Sequence, residues 1–185
     1  MRTFIAIDLS PDIKASLAGL VDRLAPLSGE VKWVRRDSMH LTLKFLGETD
    51  ERRAGEVESL LSSVVPKYGS IPLTVNGTGA FPPGSRTPRV LWVGVQAAPS
   101  LSLLQEEIEA GCETLGFARE TRPFSPHLTL GRVKSPAGLA PVLQEFEKSR
   151  EAAFGEMTVL RLTFFQSKLK PSGAEYSIIR EFPLK

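Results

Sequence analysis

Met39-His40-Leu41-Thr42-Leu43-Lys44-Phe45 and Pro126-His127-Leu128-Thr129-Leu130-Gly131-Arg132 decide how this chain is read. The chain has only two histidines, and both open the same tetrapeptide, His-Leu-Thr-Leu. With Leu at roughly a tenth and Thr at roughly a twentieth of residues, Leu-Thr-Leu after a given residue is on the order of a one-in-a-thousand event. Two unrelated accidents explain that poorly. Each copy alternates polar and apolar residues, which is strand period. His40 and Thr42 therefore share one face, and Leu41 and Leu43 the other. His127 and Thr129 stand in the same relation to Leu128 and Leu130. Each copy thus offers an imidazole and a hydroxyl side by side, backed by leucines for a core.

The copies are 127 − 40 = 87 positions apart, close to half of the 185 residues. That spacing predicts a duplication, with one such strand per half and the two imidazoles facing each other across a cleft. Shifting the whole chain by 87 supports it. Arg2 falls on Arg89, so the strand Phe4 to Leu9 matches Val90 to Val95. Asp50 falls on Ala137, and each starts a helix. Arg89 falls on Tyr176, so a strand from Tyr176 to Phe182 closes the chain. The expected organisation is one bilobal domain over residues 1–185, with repeats of about 1–87 and 88–175 and a closing strand at 176–182. The expected class is α+β, with two mainly antiparallel sheets lining a central cleft and helices outside.

Punctuation fills in the rest. Ser10-Pro11-Asp12 gives an N-cap, a first-turn proline and an early acid before the stripe Ile13, Leu17, Leu20, Val21, Leu24. A second helix carries Val57, Leu60, Leu61 and Val64, a third runs over about 100–115, and a fourth carries Leu139, Val142, Leu143 and Phe146. Asn76 to Pro88 is rich in Gly and Pro and reads as loop. Phe117 to Arg122 reads as extended, Met157 to Phe165 as one strand, and Gln166 to Gly173 as a basic turn. Trp33 packs or lines the cleft, and Trp92 reads as core. Cys112 falls on the apolar side of its helix and reads as a small buried residue.

Composition narrows the function. Hydrophobic residues make up 42% and charged residues 24%, an ordinary globular balance. A formal charge of +2 is too small for non-specific coating of nucleic acid, though a local basic cleft is allowed. One cysteine rules out a disulfide framework. The N-terminus reaches Asp8 too soon for a signal peptide, and no apolar run approaches the roughly 20 residues that span a bilayer. The expectation is a cytoplasmic protein without membrane contact, a monomer.

Two histidines without a third ligand group argue against zinc, and no metal or cofactor is expected. A Ser-His-Asp triad gives no reason to duplicate the His strand. No Gly-x-x-x-x-Gly-Lys-Ser/Thr cradle occurs. A matched pair of imidazoles suits concerted acid–base catalysis. One neutral ring takes a proton from an attacking water, and one protonated ring gives a proton to the leaving oxygen. Both tasks are feasible near pH 7, because imidazole titrates at about 6.5. Thr42 and Thr129 then serve as hydroxyl donors to phosphate oxygens, and Arg132 adds a guanidinium fork. The pair could run in either direction, and His127 is taken as the proton acceptor with His40 as the proton donor. Under the 87-residue shift Arg132 falls on Phe45, which makes the site directional. Phe45 is a candidate for stacking on a nucleobase, with core packing as the rival reading. Strict alternation puts Phe45 and Arg132 on the leucine face, and Gly131 permits a bend that re-aims the arginine. Lys44 shares the His40 face on the same count, as a solvated lysine or an RNA-backbone contact.

The chain resembles the two-histidine phosphoesterases, specifically the RNA 2′,3′-cyclic phosphodiesterases once named 2′-5′ RNA ligases. The resemblance runs from Arg2-Thr3-Phe4-Ile5-Ala6-Ile7-Asp8 through His40-Leu41-Thr42-Leu43-Lys44-Phe45-Leu46-Gly47 and Arg89-Val90-Leu91-Trp92-Val93-Gly94. It continues in Arg122-Pro123-Phe124-Ser125-Pro126-His127-Leu128-Thr129-Leu130-Gly131-Arg132-Val133 and the ending Ser167 to Leu184. It implies a bilobal fold and metal-independent opening of a 2′,3′-cyclic phosphate, on an RNA end or a small cyclic nucleotide, to a 2′-phosphate. It carries over His40, Thr42, His127, Thr129 and Arg132 as site residues. Two alternatives stay open: a module that binds phosphorylated RNA ends or nucleotides, and 2′-5′ ligation by the reverse reaction.

Overall fold

A computed structural model describes all residues, Met1 to Lys185. The strands are β1 (Arg2–Asp8), β2 (Val31–Trp33), β3 (His40–Glu48), β4 (Ile71–Phe81), β5 (Val90–Ala97), β6 (His127–Val133), β7 (Ala153–Val159), β8 (Arg161–Lys170) and β9 (Gly173–Pro183). The helices are α1 (Pro11–Leu24), α2 (Glu51–Val64), α3 (Ser100–Thr114) and α4 (Ala140–Glu147). Two antiparallel sheets form, in the orders β3-β1-β8-β9 and β2-β6-β5-β4-β7. The protein is α+β, as its alternation patterns imply. No helix is long and apolar enough to cross a membrane.

The helix punctuation works as read for α1 and α2, whereas α4 begins at Ala140, after a turn at Ala137-Gly138, and not at Ala137. Ser10 accepts the Ile13 N–H and Asp50 the Arg53 N–H, each satisfying an orphan donor of the first turn. Ile13, Leu17, Leu20 and Leu24 are buried along one face of α1. Helices α1 and α4 contact β7 and β4 of the five-stranded sheet, while α2 and α3 contact β9 and β3 of the four-stranded one. Each sheet thus buries one face under helices, and one continuous apolar cluster runs behind both. Cys112 is buried in it, and burial pushes its thiol up to about 11. A second, smaller cluster of Phe4, Ala6 and Phe165 lies on the opposite face of the four-stranded sheet.

Local readings fail in four places. Asn76 to Phe81 belongs to β4 rather than to a loop. Its glycines serve the strand: Gly77 sits at φ 74° in a bulge, and Gly79 leaves room for the Trp92 indole to lie across it. Residues 117–122 are irregular. Met157 to Phe165 is not one strand, because the chain changes sheets at exposed Leu160, between β7 and β8. Residues 166–170 extend β8, so the turn is confined to a short tip before β9.

Candidate active site

The feature that shapes the site is a bulge, made twice. In the β1–β3 ladder Ile5 pairs with Lys44 and Ala6 with Thr42, so Leu43 is an extra residue. In the β5–β6 ladder Leu91 pairs with Gly131 and Trp92 with Thr129, so Leu130 is the extra one. A bulge shifts the side-chain phase by one. The residue after each extra leucine turns to the core side, and the next returns to the histidine face. Phe45, 72% exposed, and Arg132 therefore share the face of the histidines and threonines. That removes the parity problem that strict alternation raises for both.

Lys44 takes the opposite fate. It is neither solvated nor on the His40 face, but buried in an ion pair with buried Glu109 at 2.5 Å. Its Nζ also donates to the Ala118 carbonyl at 2.6 Å, and Glu109 accepts the Glu120 N–H at 2.7 Å. The Leu43 carbonyl, lost to the ladder at the bulge, accepts from Gln105 Nε2 at 3.2 Å. In the second copy the Leu130 carbonyl accepts the Val34 N–H at 2.8 Å. The position of Lys44 is there filled by Gly131, because a Cβ would meet Val31 and Trp33 within 3 Å. Trp33 packs against the glycine rather than lining the cleft.

The two histidines have unlike surroundings. His40 stacks on Phe4 at 4.8 Å between ring centroids, with Phe165 at 5.8 Å and the Tyr176 ring edge-on at 5.0 Å. Burial in this nest lowers its pKa from 6.5 to about 4. Asp8, opposite it in the ladder, pulls the other way, and Asp8 is itself held by Lys14 at 2.7 Å. Free His40 is thus a neutral ring at pH 7, the opposite of what a proton donor needs. The expectation that His40 gives the proton runs against this environment. His127 is exposed, and its nearest aromatic neighbour is Trp92, edge-on at 6.4 Å. Trp92 is half-buried on the His127 face and not a core residue. Its partner in the ladder is Thr129.

Both rings are steadied from two residues upstream. Nδ1 of His127 lies 2.7 Å from the Ser125 carbonyl, which makes Nδ1 the donor and leaves Nε2 to the cleft. His40 has a backbone hydrogen bond with Ser38. Ser38 falls on Ser125 under the 87-residue shift, so this pair of supports was visible in the sequence. Phe4, Phe165 and Tyr176 carry no such signal, because only the sheet order brings them to His40.

The two sheets meet at the motif strands, since β3 and β6 approach each other. Across that junction the Arg132 charge reaches the Tyr176 hydroxyl, partly offsetting the rise that burial causes there. His40, Thr42 and Phe45 thus lie on the four-stranded side of this junction, and His127, Thr129 and Arg132 on the five-stranded side. No three His, Cys, Asp or Glu side chains come together as a metal-binding group.

Known proteins share this architecture. A solved structure of TT0787 from Thermus thermophilus has a TM-score of 0.84 at 30% identity, covering 99% of this chain and 97% of that one. The Escherichia coli protein LigT in complex with 3′-AMP has a TM-score of 0.81 at 25% identity, covering 100% and 98%. The RNA 2′,3′-cyclic phosphodiesterase of Archaeoglobus fulgidus is 36% identical over 184 residues, 98% of this chain and 99% of that protein. The profile of the 2′-5′ RNA ligase superfamily matches residues 9–170, so the twin His-x-Thr strands and both bulges lie within the matched span. With its sheets, its motif strands and most of its length thus accounted for, the chain belongs to the 2′-5′ RNA ligase superfamily.

Proposed function

We propose that the protein hydrolyses the 2′,3′-cyclic phosphate of an RNA end, or of a nucleoside 2′,3′-cyclic phosphate, to a 2′-phosphate. The observation that supports this is the pair of His-x-Thr strands, one in each sheet, which approach each other with an arginine on one side only. Relatives named RNA 2′,3′-cyclic phosphodiesterase, at 30–36% identity over nearly the whole chain, support the same reaction class.

Neutral His40 takes a proton from water as the water oxygen attacks phosphorus. The P–O3′ bond breaks, and protonated His127 gives its Nε2 proton to the departing O3′. Phosphorus keeps its bond to O2′, so the product is a 2′-phosphate with a free 3′-hydroxyl. The pair ends with its protonation reversed and resets by exchange with solvent. Thr42 and Thr129 donate to the non-bridging oxygens, and Arg132 balances their charge. Phe45 offers an exposed ring for the nucleobase. This order reverses the donor and acceptor roles expected from the sequence, because the nest of Phe4, Phe165 and Tyr176 favours a neutral His40.

The matching orders β3-β1-β8-β9 and β6-β5-β4-β7 support reading residues of about 1–87 and 88–175 as a duplication inside one bilobal domain. In that reading each repeat lends a strand to the other's sheet: β4 joins β5, and β8 joins β1.

The test is incubation of a short RNA with a 2′,3′-cyclic end, in EDTA, followed by location of the phosphate in the product. A 2′-phosphate that vanishes in the His40→Ala/His127→Ala double variant supports the proposal. Unchanged substrate, or equal product from the double variant, refutes it. A 2′-5′ joined product in place of the 2′-phosphate would favour the reverse reaction.

A further inference from the structure

The five-stranded sheet has one strand without a counterpart in the other sheet. Beyond motif strand β3 the four-stranded sheet ends, whereas beyond motif strand β6 the other sheet continues into β2. In the β2–β6 ladder Lys32 is directly opposite Arg132, so the two side chains share a face. Arg132 pairs on its other side with Val90, two residues before Trp92, whose ring lies beside His127. Lys32 therefore extends the floor of the cleft by one strand, outward from Arg132. Both side chains are exposed, and the molecule's ion pairs include neither of them.

Two like charges directly opposite each other in a ladder repel. The molecule ion-pairs several other cations, as in Lys14–Asp8, Lys67–Glu107 and the Arg119 pair with Glu106 and Glu113. Here it leaves two cations side by side at the mouth of the cleft. The corresponding row of the other sheet is Phe45, Phe4, Phe165 and Ile178, with no charge in it. One side thus suits bases and the other suits anions, and the cationic side extends one strand beyond Arg132.

We propose that Lys32 forms a second phosphate subsite beside Arg132, which takes the internucleotide phosphate on the 5′ side of the cyclic end in single-stranded RNA. The cyclic phosphate lies between the histidines with Arg132 beside it, and the preceding phosphodiester lies over β2. A mononucleotide leaves this subsite empty. The protein therefore discriminates in favour of oligonucleotide ends by electrostatic contact to backbone, with no demand on base sequence.

The inference rests on the function proposed above, and the experiment separates the two. The substrates are a nucleoside 2′,3′-cyclic phosphate and a trinucleotide RNA ending in a 2′,3′-cyclic phosphate, at several salt concentrations. In Lys32→Gln the ratio of trinucleotide to mononucleotide kcat/KM falls roughly fivefold or more, mostly through KM, and Lys32→Arg restores it. The slope of log(kcat/KM) against log[salt] for the trinucleotide flattens by about 0.7, the value for one phosphate contact on a single strand. Lys168→Gln, a lysine of β8 in the other sheet, is the control for general charge loss. An unchanged ratio in Lys32→Gln, or an equal fall in Lys168→Gln, overturns the subsite while turnover continues. Absence of turnover on both substrates in the unaltered protein overturns the parent function instead.

Discussion

The environment of His40 fixes how the rate must depend on pH. Its pKa of about 4 leaves about one molecule in a thousand protonated at pH 7. A reaction that needed protonated His40 would give up about 4 kcal/mol at that pH, three units at 1.36 kcal/mol each. It would need neutral His127 at the same moment, so both orders draw on the enzyme with one proton on the pair and share one shape of pH profile. A reaction that uses neutral His40 as the base escapes that cost. In either order the acid limb of kcat/KM lies near pH 4, where His40 takes up its proton, and not near 6.5. The free-enzyme value appears because kcat/KM reports the unliganded protein. The assay is kcat/KM for a nucleoside 2′,3′-cyclic phosphate from pH 4.5 to 9, with circular dichroism at each point to check the fold. Proton NMR is a direct companion, because two histidines give two imidazole signals and His127→Asn identifies which is which. An acid limb of kcat/KM near pH 6.5, or a His40 signal titrating there, would refute the reasoning about the aromatic nest and return the donor role to His40.

The same depressed value makes His40 a stability group. Its folded pKa lies below the unfolded one, so the unfolded chain binds the extra proton between about pH 6.5 and pH 4. Stability should therefore fall as pH drops through that window, by about 2 kcal/mol between pH 7 and pH 5. Urea midpoints should lose that part of their pH dependence in His40→Asn. Lys44→Met leaves buried Glu109 without its cation and should cost about 3–5 kcal/mol, with part regained in Lys44→Met/Glu109→Leu. Chemical denaturation of the two variants checks it, and a double variant no better than the single one would count against the pair. Phe45→Ala removes an exposed ring and should change stability by no more than about 0.5 kcal/mol. It should raise KM for a nucleotide substrate roughly fivefold or more, as loss of one base-stacking contact does. An unaltered KM would mean that the base rests elsewhere.

The periodic parts of this chain were legible and the exceptions were not, for one reason. Alternation and helical stripes report which face meets the core, and faces are what a sheet or a helix needs to specify. That was enough for α1, for the two motif strands and for an α+β class. A bulge, by contrast, leaves no periodic trace. Lys44 sits where alternation gives the cleft face, and only the extra residue at Leu43 sends it inward to Glu109. The cost of that inward turn is offset by Glu109 and Ala118, residues more than sixty positions away. Gly77 and Gly79 were misread because glycine ends strands more often than it serves them. Here Gly79 is needed because the Trp92 ring would lie 2.1 Å from a Cβ. Leu160 shows the same limit differently: apolar residues continue through it while the chain passes from one sheet to the other.

The proposed duplication would account for the matching histidines, but matching alone would disable them. Two imidazoles in equal surroundings carry the same proton occupancy, and a step that takes one proton and gives another needs them to differ. The difference cannot come from the His-x-Thr pairs, which are the same in both copies. It comes from what the sheets place behind them. Strand β8 brings Phe165, β9 brings Tyr176 and β1 brings Phe4 to His40, while His127 has Trp92 edge-on and open water. The bulges add the second break in symmetry, Phe45 on one wall and Arg132 on the other, from the same backbone geometry. In the proposed mechanism the repeated strands hold two imidazoles in equivalent frames, and the residues that do not repeat decide which one accepts a proton and which end of the substrate faces which sheet.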